Sequence, residues 1–142
     1  MTEETFPQIL QTVLDAADPR ATAEFYRHMF GLHYRPGDEP PAAGEPDERG
    51  QDWLVLLGIG GDRSLAFQQV DELPETTWPA AGVPQQMHLD TSVPSVEELE
   101  RQHERALALG ARLRYDRTDD PEEPLRVYAD PAGHLFCIFV AG

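Results

Sequence analysis

The chain contains one order of patterned segments twice, and this internal repeat is the feature that most constrains its fold. Gln11 and His88 lie 77 positions apart, and the same 77 positions separate Asp18 from Ser95, two residues of the kind that begin helices. Each copy has the pattern of a strand, a helix and three further strands. The repeat therefore predicts an α+β fold of two βαβββ modules, not a parallel α/β sheet. We expect a single domain, with the following bounds for the chain and its modules: residues 1–142, about 8–74 and about 84–141.

The helix boundaries of both modules are marked by specific residues. Asp18 followed by Pro19 is typical of a helix N-cap and first helical position, and Gly31 is typical of the residue just after a helix. In the second module, Ser95 and Glu98 have the spacing of a capping box. These signals predict one helix after the first strand of each module.

Alternation along the first strand of each module places its polar residues on one side. Gln11, Val13 and Asp15 share a side in the first module, and His88 and Asp90 share the corresponding side in the second. If the helices cover the other side, these residues face a shared concavity. His88 lies between apolar neighbours there, and its role is either ligand binding or that of a hydrogen-bonded structural histidine.

The remaining strands contribute two further candidates. Leu65 and Phe67 are expected to pack under the helix, so Gln68, in preference to Gln69, faces the concavity. Cys137 lies on one face of the last strand with apolar neighbours. The pattern predicts strands over residues 9–16, 32–35, 53–57, 64–70, 87–92, 111–116, 125–129 and 135–140.

Charge and cysteine usage limit the partners and the compartment. With 26 acidic and 11 basic residues, the formal net charge of −15 would repel nucleic acid and anionic membranes, so we expect neither as a partner. Cys137 is the single cysteine and cannot form an internal disulfide. The first residues lack the basic and apolar regions of a secretory signal, and no apolar run is long enough to span a membrane. We therefore expect a cytoplasmic protein.

Three stretches carry a family resemblance. QTVLDAADPRATAEFYRHMFGL in the first module, and MHLDTSVPSVEELERQHERALALGARL followed by YADPAGHLFCIFV in the second, resemble the vicinal oxygen chelate superfamily of glyoxalase, extradiol dioxygenase and bleomycin-resistance relatives. The resemblance extends over most of the chain. It implies paired βαβββ modules around a small-molecule pocket, and a homodimer.

The resemblance also implies where a metal would be bound in related enzymes. Matched by motif, the four ligand places are Gln11, Gln68, His88 and Cys137. The family enzymes generally have glutamate at the second and last of these places. Hard divalent metals prefer carboxylate oxygens, and the family's proton transfer needs a carboxylate base. We therefore expect no cofactor and no metal, although Asp90 or Asp15 could supply oxygen ligands if a divalent metal were bound.

Two functions remain open from the sequence, with a purely interacting, degenerate domain as a third. The first is metal-free binding of an apolar or aromatic organic ligand, as in the resistance proteins that the chain resembles. The second is a lyase or isomerase of the same superfamily in which His88 and Asp90 act as acid and base; ordinary glyoxalase I activity is not expected. The expected ligand-binding residues are Gln11, Val13, Asp15, Trp53, Gln68, His88 and Cys137.

Overall fold

A computed structural model describes residues 5–141 of the chain and contains the predicted order of elements in both halves. The strands and helices are β1 Thr12–Ala16, α1 Pro19–Phe30, β2 His33–Tyr34, a 3₁₀ helix Arg49–Gln51, β3 Trp53–Leu57, β4 Arg63–Gln69, β5 His88–Val93, α2 Val96–Ala108, β6 Arg112–Asp116, β7 Leu125–Ala129 and β8 Leu135–Val140. Neither α1 nor α2 is long and apolar enough to span a bilayer.

The strands form two four-stranded mixed sheets with the same topology. The first has the order β1-β4-β3-β2 and the second the order β5-β8-β7-β6. In each sheet the pair that contains the first strand of the module is parallel, and the other pairs are antiparallel. The predicted α+β class with two βαβββ modules is therefore confirmed.

Two strands are shorter than the sequence pattern predicted by two or three residues. β1 begins at Thr12 instead of residue 9, because Thr12 is the first residue of this strand to pair with β4. β2 contains only His33 and Tyr34, the two residues that pair with β3. Alternation identifies extended backbone, but a strand exists only where a neighbouring strand supplies hydrogen bonds.

The helix ends follow the predicted caps. The Asp18 carboxylate accepts a hydrogen bond from the Ala21 amide at 3.2 Å, and the Ser95 hydroxyl accepts one from the Glu98 amide at 3.1 Å. Gly31 ends α1 in the left-handed conformation with φ of 67°. These local bonds satisfy amides that would otherwise lack a helical partner.

One hydrophobic core joins both modules. Tyr26 of α1 packs against Phe67 of β4 and Phe136 of β8, with ring centroids 5.7 and 6.3 Å apart. Buried apolar side chains from both helices and both sheets belong to the same cluster. The predicted side of the first strand is also observed, since Leu14 is buried in this core whereas Val13 is exposed.

A buried polar contact also joins the modules, at the turn before β8. The Asp130 carboxylate accepts hydrogen bonds from the amides of Ala132, Gly133 and His134 at 2.8–3.0 Å. The Tyr26 hydroxyl donates to the same carboxylate at 2.6 Å. Burial and the nearby carboxylate raise the pKa of Tyr26 well above its ordinary value, so the hydroxyl remains a donor.

The acidic Pro- and Gly-rich segment 36–50 is anchored by another buried carboxylate. Asp38 is fully buried and accepts a hydrogen bond from the Val55 amide of β3 at 2.9 Å. Its other oxygen lies 3.0 Å from Arg49, and Arg35 completes the ion pair. The segment is therefore held against the edge of the first sheet, as a loop within the first module.

Candidate functional site

The second sheet carries an apolar cluster on the face opposite the main core. Because side chains alternate along a strand, Tyr128 and Phe136 enter the main core while Val127 and Cys137 point to the opposite face. All five residues of β7 are buried as a result. The described members of this second cluster are Leu125, Val127, Ala129, Leu135 and Cys137, with Trp78 and Phe139 packed against them.

This cluster forms the floor of a cavity of about 390 Å³, which we call the His88 cavity. Trp78, from the segment between the modules, and Tyr115 of β6 form an edge-to-face aromatic pair at its wall, with ring centroids 5.6 Å apart. The cavity is lined by Trp78, Gln85, His88, Asp90, Tyr115, Arg117, Glu123, Leu125, Val127, Cys137 and Phe139.

His88 and Asp90 lie together at the open side of this cavity. They are two positions apart on β5, so both side chains point to the same face of the sheet. His88 Nε2 lies 3.4 Å from Asp90 Oδ1, and about half of the imidazole surface is exposed. The imidazole is therefore accessible to a ligand and has a carboxylate beside it.

Cys137 contributes an uncharged thiol to the cavity floor. The pKa of Cys137 is raised to about 11, chiefly by burial and to a smaller extent by the carboxylates of Asp90 and Glu123, while the Arg117 guanidinium opposes the shift. At neutral pH the group is a thiol, not a thiolate. It therefore lines the cavity floor as a small, largely apolar group.

The other predicted site residues lie outside the His88 cavity. Val13 and Asp15 line a second cavity of about 420 Å³, which we call the linker cavity because residues 73, 74, 76 and 83–87 form much of its wall. Gln11 Oε1 lies 3.5 Å from Arg63 Nη1 within the first module. Gln68 is exposed on β4, where it pairs with Trp53 of β3.

The structure thus divides the seven expected ligand-binding residues instead of bringing them to one pocket. His88 and Cys137 line one cavity, Val13 and Asp15 line another, and the remaining three line neither. The physical reason is that the two sheets are separate and that Trp78 and Gln85, from the connecting segment, supply part of the wall that we expected the first module to supply. Gln85 lines both cavities.

Gln85, Tyr115, Arg117 and Glu123 are among the cavity residues that were not identified from the sequence as site residues. Gln85 lies in an irregular segment, and Arg117 and Glu123 lie in the loop after β6, where no periodicity reveals which side chains point inward. Tyr115 lies on β6 beyond a register shift between Leu113 and Tyr115, so simple alternation assigns its side incorrectly.

The residues at the four family ligand places do not suit a hard divalent metal. Gln11 and Gln68 offer neutral amides, His88 offers one imidazole, and Cys137 is protonated at neutral pH. Within residues 5–141, no group of three or more histidine, cysteine or acidic residues is arranged to hold a metal ion.

The repeated βαβββ topology, with a cavity on the strand face away from the helices, defines the class of protein as a vicinal oxygen chelate fold. Comparison of sequences agrees, since the family described as the glyoxalase-like domain matches residues 11–139. The chain belongs to this family. A comparison with curated proteins finds no match.

Solved structures with the same fold extend over nearly the whole chain. A fosfomycin resistance protein, FosX, from Listeria monocytogenes is 19% identical with a TM-score of 0.66, covering 97% of this chain and 96% of its own. A possible glyoxalase from Bacillus cereus is 18% identical with a TM-score of 0.62, covering 92% and 96%.

A mutant of the Listeria FosX was solved in complex with Mn(II) and 1S,2S-dihydroxypropylphosphonic acid. It is 20% identical to this chain with a TM-score of 0.67, and the match covers 97% of this chain and 95% of its own. At such identities the likeness establishes the fold.

Proposed function

We propose that this protein binds a small apolar or aromatic organic molecule in the His88 cavity, without a metal. The observation that carries the proposal is the apolar face of the second sheet, which lies opposite the core and is walled by the Trp78–Tyr115 pair. The outer face of a sheet in a small domain is commonly polar. An apolar floor with a few polar groups at its rim is typical of small-molecule sites.

The proposed role of His88 is to orient the ligand through a hydrogen bond. A ligand-detected NMR screen of aromatic fragments would supply binding compounds, and calorimetry would then compare variants. We expect His88→Ala to weaken binding about fivefold, the worth of one hydrogen bond of roughly 1 kcal/mol.

The matched control for this experiment is His103→Ala. His103 Nδ1 lies 2.8 Å from the Tyr128 hydroxyl and is not among the cavity residues, so its loss should lower stability and leave affinity unchanged. Unchanged affinity in the His88 variant would contradict the assignment of His88 and of this cavity.

A second candidate function is acid–base catalysis of the lyase or isomerase type. It is favoured by the 3.4 Å approach of Asp90 to His88 Nε2, since a carboxylate beside an imidazole can orient it for proton transfer. Each compound that binds should be incubated with the protein in D₂O and followed by NMR. Exchange of a carbon-bound proton that disappears in His88→Ala would favour the enzyme, and its absence for all binders would favour binding alone.

We also propose that the chain forms a homodimer. Large apolar side chains are exposed near the strand faces of both modules, among them Ile9 and Leu10 before β1 and Leu113 on β6. A second copy would cover such a surface. Light scattering after gel filtration should give about twice the chain mass of 15.9 kDa, and a monomer at micromolar concentration would contradict the proposal.

The chain carries the family fold and a high acidic charge, and we propose a cytoplasmic location for it. Expression of a tagged protein followed by cell fractionation would test this directly.

A further inference from the structure

The charged side chains around the His88 cavity are predominantly acidic. Asp90 and Glu123 line it, and Arg117 is the guanidinium among its described lining residues. Arg117 Nη2 pairs with Glu123 at 2.9 Å, so these two opposite charges balance each other. Arg117 Nε lies 3.8 Å from Asp120 and, although buried, has no hydrogen-bond partner in the described part of the chain. The nearest ionisable partner of Asp90 is the His88 imidazole, which is a cation only when protonated. With a neutral imidazole, negative charge remains beside Asp90.

Aromatic rings line the same cavity as this negative charge. Trp78 and Tyr115 form the wall, and Phe139 lies on the same face of the second sheet. The faces of such rings attract cations through their quadrupole, and the indole of tryptophan does so most strongly. Carboxylates and aromatic faces in one cavity therefore both favour a positively charged ligand group.

A buried hydrogen-bond acceptor in the cavity wall favours a ligand that carries a hydrogen-bond donor. Gln85 Oε1 is inaccessible to solvent and has no hydrogen-bond partner in the described part of the chain. Buried polar atoms are almost always paired, so a donor on a ligand would remove an unfavourable feature of the empty cavity. The amide oxygen accepts and does not donate.

The whole chain adds a long-range contribution. A formal charge of −15 produces a field that concentrates cations and repels anions around the protein. The local charge at the cavity and the overall charge of the protein thus both favour cations over anions.

We propose that the ligand of the His88 cavity is an organic cation: a protonated amine or ammonium group on an apolar or aromatic body. The cationic group lies beside Asp90 and against the faces of Trp78 and Tyr115, and it donates to Gln85 Oε1 when it carries a proton. The body rests on the apolar floor around Val127. This inference rests on the proposed function of the same cavity and specifies its ligand class.

The test uses three probes that share one ring system and differ in charge: 1-naphthylmethylammonium, 1-naphthylmethanol and 1-naphthoate. Each is titrated into the full chain at low ionic strength, and binding is followed through the amide and indole NMR signals. We expect the ammonium probe to bind at least about fivefold more tightly than the alcohol, with the carboxylate weakest. Added salt should reduce the advantage of the ammonium probe.

Two variants locate the effect. Asp90→Asn should reduce the preference for the ammonium over the alcohol to less than about half. Asp119→Asn removes the same formal charge from an exposed loop position outside the lining and should leave the preference unchanged. The comparison separates a local contact from the overall field.

The outcomes distinguish this inference from the proposal beneath it. Equal binding of the ammonium and the alcohol, or tightest binding of the carboxylate, would overturn the cationic class while a small-molecule cavity remained. Equal loss of preference in both variants would also overturn it, since the field alone would then be responsible. If none of the three probes perturbed signals of the cavity residues at millimolar concentration, the proposed function itself would fail.

Discussion

The thiol of Cys137 offers a direct measurement of the environment at the cavity floor. It is the single cysteine of the chain, and burial raises its pKa from 9.0 to about 11. Alkylating reagents react with the thiolate, whose fraction falls tenfold for each unit of pKa. We expect iodoacetamide to label the folded protein at pH 8 roughly 100-fold more slowly than the urea-unfolded protein.

The rate for the folded protein should rise about tenfold per pH unit toward pH 11, because raising the pH increases the thiolate fraction. Mass spectrometry of the single adduct gives the rate. Equal rates for folded and unfolded protein would show that the thiol is neither buried nor perturbed.

At the scale of single residues, the sequence predicted the side of a strand better than it predicted the cavity. Alternation placed His88, Asp90 and Cys137 on the face that does form one cavity. The same reasoning predicted that Gln68 faces the concavity, whereas Gln68 is exposed on the first sheet and lines neither cavity. Alternation could not show which wall completes the site. That wall includes Trp78, whose position depends on tertiary contacts of an irregular segment and not on any sequence period.

At the scale of elements, the end of α1 gives a clean comparison between two glycines. Gly31 has φ of 67°, in the region that favours glycine, whereas Gly60 lacks a positive φ, and a Cβ at either position would meet no atom within 4 Å. We expect Gly31→Ala to lower the free energy of unfolding by about 1 kcal/mol through backbone strain alone.

Gly60→Ala should be neutral or slightly stabilising, because it restricts the unfolded chain without straining the folded one. Urea denaturation of both variants decides the matter. Equal destabilisation would mean that the left-handed cap of α1 contributes nothing specific.

The elements were predictable in type and order because their signals are local. Caps at Asp18 and Ser95 depend on contacts within one helical turn, and both occur as expected. Strand length was predictable only in part, since it depends on a partner that is distant in the chain. β1 is limited by its pairing with β4, and the burial of Asp38 by contact with β3 has no local signature.

At the scale of the whole molecule, the Tyr26–Asp130 contact couples the two modules. Removing the hydroxyl in Tyr26→Phe leaves a buried carboxylate oxygen without its donor from the other module. We expect a loss of about 1–3 kcal/mol in the free energy of unfolding, with the transition still cooperative because the aromatic core is retained.

Tyr115→Phe is the matched control, since its ring is partly exposed on the second sheet and its substitution should change stability by less than about 0.5 kcal/mol. Denaturant unfolding followed by fluorescence and circular dichroism measures both variants. Two separate transitions in Tyr26→Phe would show that this one bond, and not the shared core, makes the modules unfold together.

Gln85 has a consequence for any attempt to engineer this protein, because it is a lining residue of two different cavities. Both the His88 cavity and the linker cavity use it as a wall. We therefore expect a substitution at Gln85 to change the wall of both cavities together. An engineered change in ligand specificity at one cavity would therefore be accompanied by a change in the shape of the other.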